Sequence, residues 1–155
     1  MTIDDLRARW RILLCGALLL ALGAAGLHAA GPAPRQSAYP RRIVSLNLCA
    51  DQLVLALADR DQIAGLTHYA SDPQMSAAAG QTRGLRILRG SSAEEVLGIG
   101  PDLVIGMPAR RSSATAVLKA QSYRAVDLKP ADSYAQILIS IRSVAAAVGH
   151  PPRGE

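Results

Sequence analysis

From residue 42 onward the chain alternates between two kinds of apolar pattern. Arg42-Ile-Val-Ser-Leu46 is a short β-branched run of strand length. Asn47 behind it is a capping residue, followed on a helical spacing by Leu48, Leu53, Leu55 and Leu57. Ile63-Ala-Gly-Leu-Thr67 repeats the strand signal, and a polar stretch from His68 to Gly84 separates it from a third short run, Leu85 to Leu88. Gly90 breaks the chain there. Ser91 or Ser92 then caps a helix that carries Glu94 and Glu95 in its first turn, where the helix dipole favours negative charge. Asp102-Leu-Val-Ile-Gly106 is the clearest strand. Ser112 or Ser113 starts a helix through Lys119, and Tyr123 to Leu128 is a further strand. Asp132 or Ser133 opens a last helix to Val148, stopped by Gly149 with Pro151 and Pro152 behind it.

Strands alternating with helices through short connections imply right-handed crossovers. The expected class is therefore α/β: a mainly parallel sheet of about five strands, covered by helices on both faces. The polar stretch 68–84 is long for a compact domain, and loops of that length are usually functional or mobile.

The pattern before residue 42 differs. Arg7, Arg9 and Arg11 precede an uncharged apolar run from Ile12 to Leu27, and the small residues Ala29, Ala30 and Gly31 follow. Basic, apolar, small is the order of a secretory signal peptide. As a helix the run spans about 24 Å at 1.5 Å per residue, short of a hydrocarbon core of about 30 Å, so cleavage beside Ala29 or Ala30 is expected rather than a permanent anchor. Cys15 lies near the start of the run, the wrong place for lipidation. Residues 1–30 are read as the signal peptide and 31–40, with three prolines, as an extended leader. The lobe proper is read as 41–150. Export would leave Cys49 as the only thiol, with no internal disulfide to staple the fold.

Composition narrows the function. Half of the 155 residues are apolar, yet one Trp, four Tyr and no Phe are the whole aromatic set. Taking Arg7, Arg9 and Arg11 from the 17 basic residues, and Asp4 and Asp5 from the 12 acidic ones, leaves 14 against 10. That small excess is dispersed along the chain. Nucleic-acid proteins concentrate their charge and add aromatic platforms, so nucleic acid is not an expected partner.

Catalytic patterns are missing as well. Gly98-Ile-Gly100 has Leu at position 103 and precedes a strand, so it fails as a dinucleotide fingerprint. There is no phosphate loop, nucleophile elbow or paired-His zinc motif. Cys49, beside a helix's first turn, is read as a buried structural thiol in preference to a reactive one. His68 and Tyr69 follow the second strand, where open parallel sheets place ligands. Tyr69 is a candidate contact, and His68 is read as a surface residue in preference to a metal ligand. Arg89, Arg110 and Arg111 stand on loops at the same strand ends and are either solvated charges or receivers of carboxylate or phosphate. No catalytic residue, metal ligand or cofactor is assigned, and the chain is not read as an enzyme.

Arg42-Ile-Val-Ser-Leu-Asn-Leu-Cys-Ala-Asp51, Ile63-Ala-Gly-Leu66, and the spaced set Gly90, Glu94, Val96-Leu97 and Pro101-Asp-Leu-Val104 resemble periplasmic binding proteins for cobalamin and iron-siderophores. The resemblance covers about residues 41–155. It implies two Rossmann-like lobes joined by a long helix, with the solute held between them. It also implies an exposed Glu on each lobe that pairs with Arg on the membrane subunits of an ABC transporter, and by position Glu94 is that residue. Ligand positions carry over to Asn47, to Tyr69 and to the segment before Gly90. In that segment the cobalamin pattern expects a stacking aromatic, but Leu88 and Arg89 stand here. The basic replacement suits an anionic ferric chelate or haem better than cobalamin.

Pro151-Pro152-Arg-Gly-Glu155 resembles the opening of the linking helix. The expectation is thus an exported, periplasmic substrate-binding component of an uptake transporter for a metal chelate, present as its amino-terminal lobe and not membrane-spanning once the signal is removed. Its partners would be the solute and the permease subunits. The alternatives are an exported one-lobe interaction module and an exported α/β enzyme using Cys49 or His68.

Overall fold

The computed structural model describes residues 39–155. The signal-peptide reading of 1–30 and most of the leader lie outside the described residues. Four parallel strands form one sheet: β1 (Ile43–Ser45), β2 (Ile63–Gly65), β3 (Leu103–Gly106) and β4 (Ala125–Asp127), in the order β2-β1-β3-β4. Ile43, Val44 and Ser45 pair with Leu103, Val104 and Ile105, and Val104, Ile105 and Gly106 pair with Ala125, Val126 and Asp127. Each strand is followed by a helix or helical turn, and the strands pair in parallel.

Alternation along the strands divides the core in two. Ile43, Leu103 and Ile105 face one side, where α1 (Leu48–Leu57) and α4 (Tyr134–Val148) cover them with Val54, Leu57, Val144 and Val148. Val44 and Val104 face the other, where α2 (Ala93–Ile99) and α3 (Ser113–Ala120) supply Val96, Ile99 and Leu118. Both faces of the sheet are therefore apolar and covered, as a parallel sheet requires.

Two sequence expectations change. The sheet has four strands, not five: Leu85 to Leu88 contributes a single parallel bridge, Leu66 to Ile87, with Leu66 N donating to Arg86 O at 3.0 Å and Leu88 N to Leu66 O at 2.8 Å. The run cannot extend because its flanking backbone groups are committed elsewhere. Leu85 N donates to Thr82 O, and the amides of Arg89, Gly90 and Ser91 go to a carboxylate. The buried stripe of α1 is Ala50, Asp51, Val54 and Leu57, with Leu53 and Leu55 at its half-buried margins. Helical rotation of about 100° per residue then turns Cys49 outward. The thiol read as buried is exposed.

The caps follow the sequence closely. Asn47, Ser92, Ser112 and Ser133 each accept from an amide three residues on. Gly149 ends α4 at φ +94, with its amide bonded to Ala146 O at 3.2 Å and that of His150 to Ala145 O at 2.8 Å, a Schellman closure. Pro151–Gly154, where the opening of a linking helix is expected, form one 3-10 turn against α4, with Gly154 close over Ala145. Among the described residues no helix is long and apolar enough to cross a membrane.

Candidate functional site

Because all four strands run the same way, every loop that leaves a strand's carboxyl end emerges on one edge of the sheet. That edge carries Asn47 after β1, His68 and Tyr69 after β2, Arg89 after the Leu66–Ile87 bridge, and Arg110 and Arg111 in the turn after β3.

Asn47 is half-buried, and its side-chain oxygen caps α1 by accepting from Ala50 N at 2.9 Å. Tyr69 opens to solvent at 43% exposure, on the 3-10 turn His68–Ser71, with its ring centroid 3.8 Å from that of His68 at an interplanar angle of 40°. A tyrosine so exposed on a folded turn is presented for contact rather than stored in a core. Arg89 is exposed, and its backbone amide is held while its side chain faces solvent.

Glu94 is exposed at the start of α2 and lines a hollow of about 700 Å³ with Leu46, Ser91, Met107, Arg111 and Val117 among its walls. This hollow brings Glu94 and Arg111 together. Asn47, Tyr69 and Arg89 do not line it, although they share its edge of the sheet. Glu94's own amide and the Ser92 hydroxyl hold its carboxyl below the usual carboxylate range. It therefore stands ionised on the surface at neutral pH.

Two carboxylates that the sequence analysis did not place at the site organise the edge. Asp51 is fully buried; it accepts from Thr67 N at 2.9 Å and from the Thr67 hydroxyl. Burial pushes its carboxyl up, against the opposing pull of Thr67, Ser45 and His68. Asp51 thus ties the first turn of α1 to the residue just before His68-Tyr69. Its position on the stripe of Ala50, Val54 and Leu57 was the available signal, since a carboxylate on a buried face must have a partner. Glu95 accepts from three loop amides, and the amides of Arg89 and Gly90 lead in holding its carboxyl low. Its signal was the spacing Ser92-x-x-Glu95. Among the described residues no group of three His, Cys, Asp or Glu is placed to hold a metal ion.

Comparison with known proteins agrees with the fold. No protein-family model matches the chain, and no curated protein matches it. Solved structures do. A possible iron-binding periplasmic solute-binding protein from Staphylococcus epidermidis matches at a TM-score of 0.60 and 19% identity, over 75% of this chain and 45% of the other. The periplasmic vitamin B12-binding protein BtuF of Vibrio cholerae matches at 0.56 and 21%, over 74% and 44%. The periplasmic haem-binding protein RhuT from Roseiflexus matches at 0.57 and 28%, over 74% and 43%. The fold is that of periplasmic binding proteins for iron, haem and vitamin B12, as the sequence resemblance implies. The chain spans less than half the length of these structures.

Proposed function

We propose that the chain is the exported substrate-binding component of an ABC uptake transporter, a binding protein and not an enzyme, whose described residues form the amino-terminal wall of a site for a metal chelate. The observation that supports this reading is that Asn47, Tyr69, Arg89 and Glu94 all stand on the carboxyl-end edge of a sheet whose fold matches periplasmic haem-, iron- and B12-binding proteins. Open parallel sheets bind ligands at that edge. Tyr69 offers a flat aromatic face, and Arg89 brings positive charge from a neighbouring loop, which favours an anionic ferric chelate or haem over cobalamin. Residues 1–30 would direct export to the periplasm.

Glu94 is the docking carboxylate in this reading, paired with an Arg of the permease. Docking of the chain to a haem-type permease–ATPase complex in lipid nanodiscs tests it. Glu94→Ala weakens docking about tenfold, the roughly 1.4 kcal/mol that one well-made interfacial charge pair supplies. Equal docking by wild type and variant contradicts the assignment.

A second reading, a stand-alone interaction module, has one observation in its favour: α4 leaves Tyr134, Ile137 and Ile139 exposed at 74%, 46% and 64%. A stable symmetric dimer in sedimentation equilibrium supports that reading, and a monomer supports the transporter component.

A further inference from the structure

Glu95 does more than cap a helix. Its Oε1 accepts from Arg89 N at 2.8 Å, and its Oε2 accepts from Gly90 N and Ser91 N, each at 3.1 Å. In the ordinary capping box this carboxylate returns to the amide of the cap residue itself. Here the cap is Ser92, whose hydroxyl accepts from Glu95 N at 3.3 Å, while the carboxylate reaches past it to the three residues before. Three successive amides converging on one anion form a nest. Ser91, the last of the three, stands at φ +56, a left-handed conformation that serine keeps only where its surroundings hold it.

The loop so held is one wall of the hollow that contains Glu94. Gly90, Ser91 and Ser92 line it from one side, and Met107, Arg111 and Ser112 from the other. Glu94 and Glu95 are adjacent on α2, so rotation along the helix directs one carboxylate back into the loop and leaves the other at the exposed rim. The low titration of Glu95 has the same origin, in the amides of Arg89 and Gly90.

We propose that Glu95 is the positioning residue of the docking surface: by gathering the amides of Arg89, Gly90 and Ser91 it fixes the loop against α2 and sets Glu94 at the rim of the hollow. The role rests on the reading of Glu94 as the docking carboxylate. Without the Glu95 carboxylate the three amides lose their acceptor, Ser91 loses its restraint, and the wall beside Glu94 relaxes.

A double-mutant cycle on Glu94 and Glu95 tests this, with docking to a haem-type permease–ATPase complex in nanodiscs as one readout and amide hydrogen exchange at Arg89, Gly90 and Ser91 as the other. Glu95→Ala is expected to speed exchange at those three amides while the β1 and β3 amides stay protected, and to weaken docking about fivefold, within the range of coupling between neighbouring residues. It adds nothing when Glu94 is already Ala. Glu95→Gln, which keeps an acceptor oxygen and the side-chain shape, recovers part of both effects and serves if Glu95→Ala does not fold.

Losses that add independently, or full docking by Glu95→Ala while Glu94→Ala docks weakly, overturn the positioning role and leave the docking reading standing. Failure of the wild-type chain to dock, or full docking by Glu94→Ala, overturns both. The exchange rates then report on the loop alone.

Discussion

Asp51 and Thr67, sixteen residues apart, are joined twice in the interior: the Thr67 amide and the Thr67 hydroxyl both donate to the Asp51 carboxylate. This pair fixes the start of the His68–Tyr69 turn relative to α1, and so decides where Tyr69 is presented. Asp51→Ala strands both donors of Thr67 and lowers stability by about 1–3 kcal/mol in urea unfolding. Asp51→Asn keeps the shape without the buried charge and is closer to wild type.

The pH dependence of the same pair has a definite sign. Asp51 is raised by burial, so the folded state takes up its proton before the unfolded state does. Its contribution to stability therefore improves as pH falls through the raised value, and is complete below the ordinary carboxylate range. Asp59, Glu94 and Glu95 are lowered, and their contributions run the other way: present above the ordinary range and lost as pH falls through the lowered values. Urea midpoints measured against pH will show the Asp51 gain in wild type and not in Asp51→Asn. Parallel profiles for the two proteins contradict the assignment.

At the opposite end of the sheet a single amide joins three segments. Gln62 Nε2 donates to Pro40 O at 2.7 Å and to Val148 O at 3.0 Å, so Oε1 is the acceptor for Asp59 N at 2.7 Å. His150 Nε2, 3.2 Å from that oxygen and 3.0 Å from Asp59 Oδ2, therefore carries its proton on Nε2. Gln62→Ala costs about 1–3 kcal/mol by leaving buried carbonyls unpaired. Gln62→Glu does no better at neutral pH, because a carboxylate cannot donate to Pro40 and Val148. A Gln62→Ala chain within about 0.5 kcal/mol of wild type, like an ordinary surface change, contradicts the clamp.

Cys49 separates the binding reading from the enzyme reading. The thiol is exposed in the first turn of α1. Iodoacetamide should alkylate it at the rate of a free model thiol, with unchanged unfolding midpoint. A rate at neutral pH that is tenfold or more above the model thiol would indicate an activated nucleophile.

Much of the fold was legible because local signals agreed. Asn47, Ser92, Ser112, Ser133 and Gly149 stand where the chain starts and stops its helices, and the alternation of Ile43 with Val44 and of Val104 with Ile105 faces the two covered sides of the sheet. What was not legible depended on partners distant in sequence. Leu85 to Leu88 has a strand's composition, but the neighbouring amides are taken by Glu95, and no composition records that. Cys49 lies outward because Ala50 and Asp51 hold the buried stripe, which a reading based on the leucines alone misplaces by one step around the helix. Of the candidate site, the shared edge followed from parallel topology. The hollow joining Glu94 to Arg111, and its separation from Asn47, Tyr69 and Arg89, needed the loops in place.

The most direct test of the chelate site is an NMR titration of the chain with haem. The account predicts affinity weaker than about micromolar for the wall that the described residues form, because they cover only one side of the solute, with amide shifts concentrated at Asn47, Tyr69 and Arg89. Submicromolar binding by the monomer, or shifts centred on the opposite edge around Pro101 and Tyr123, would contradict it.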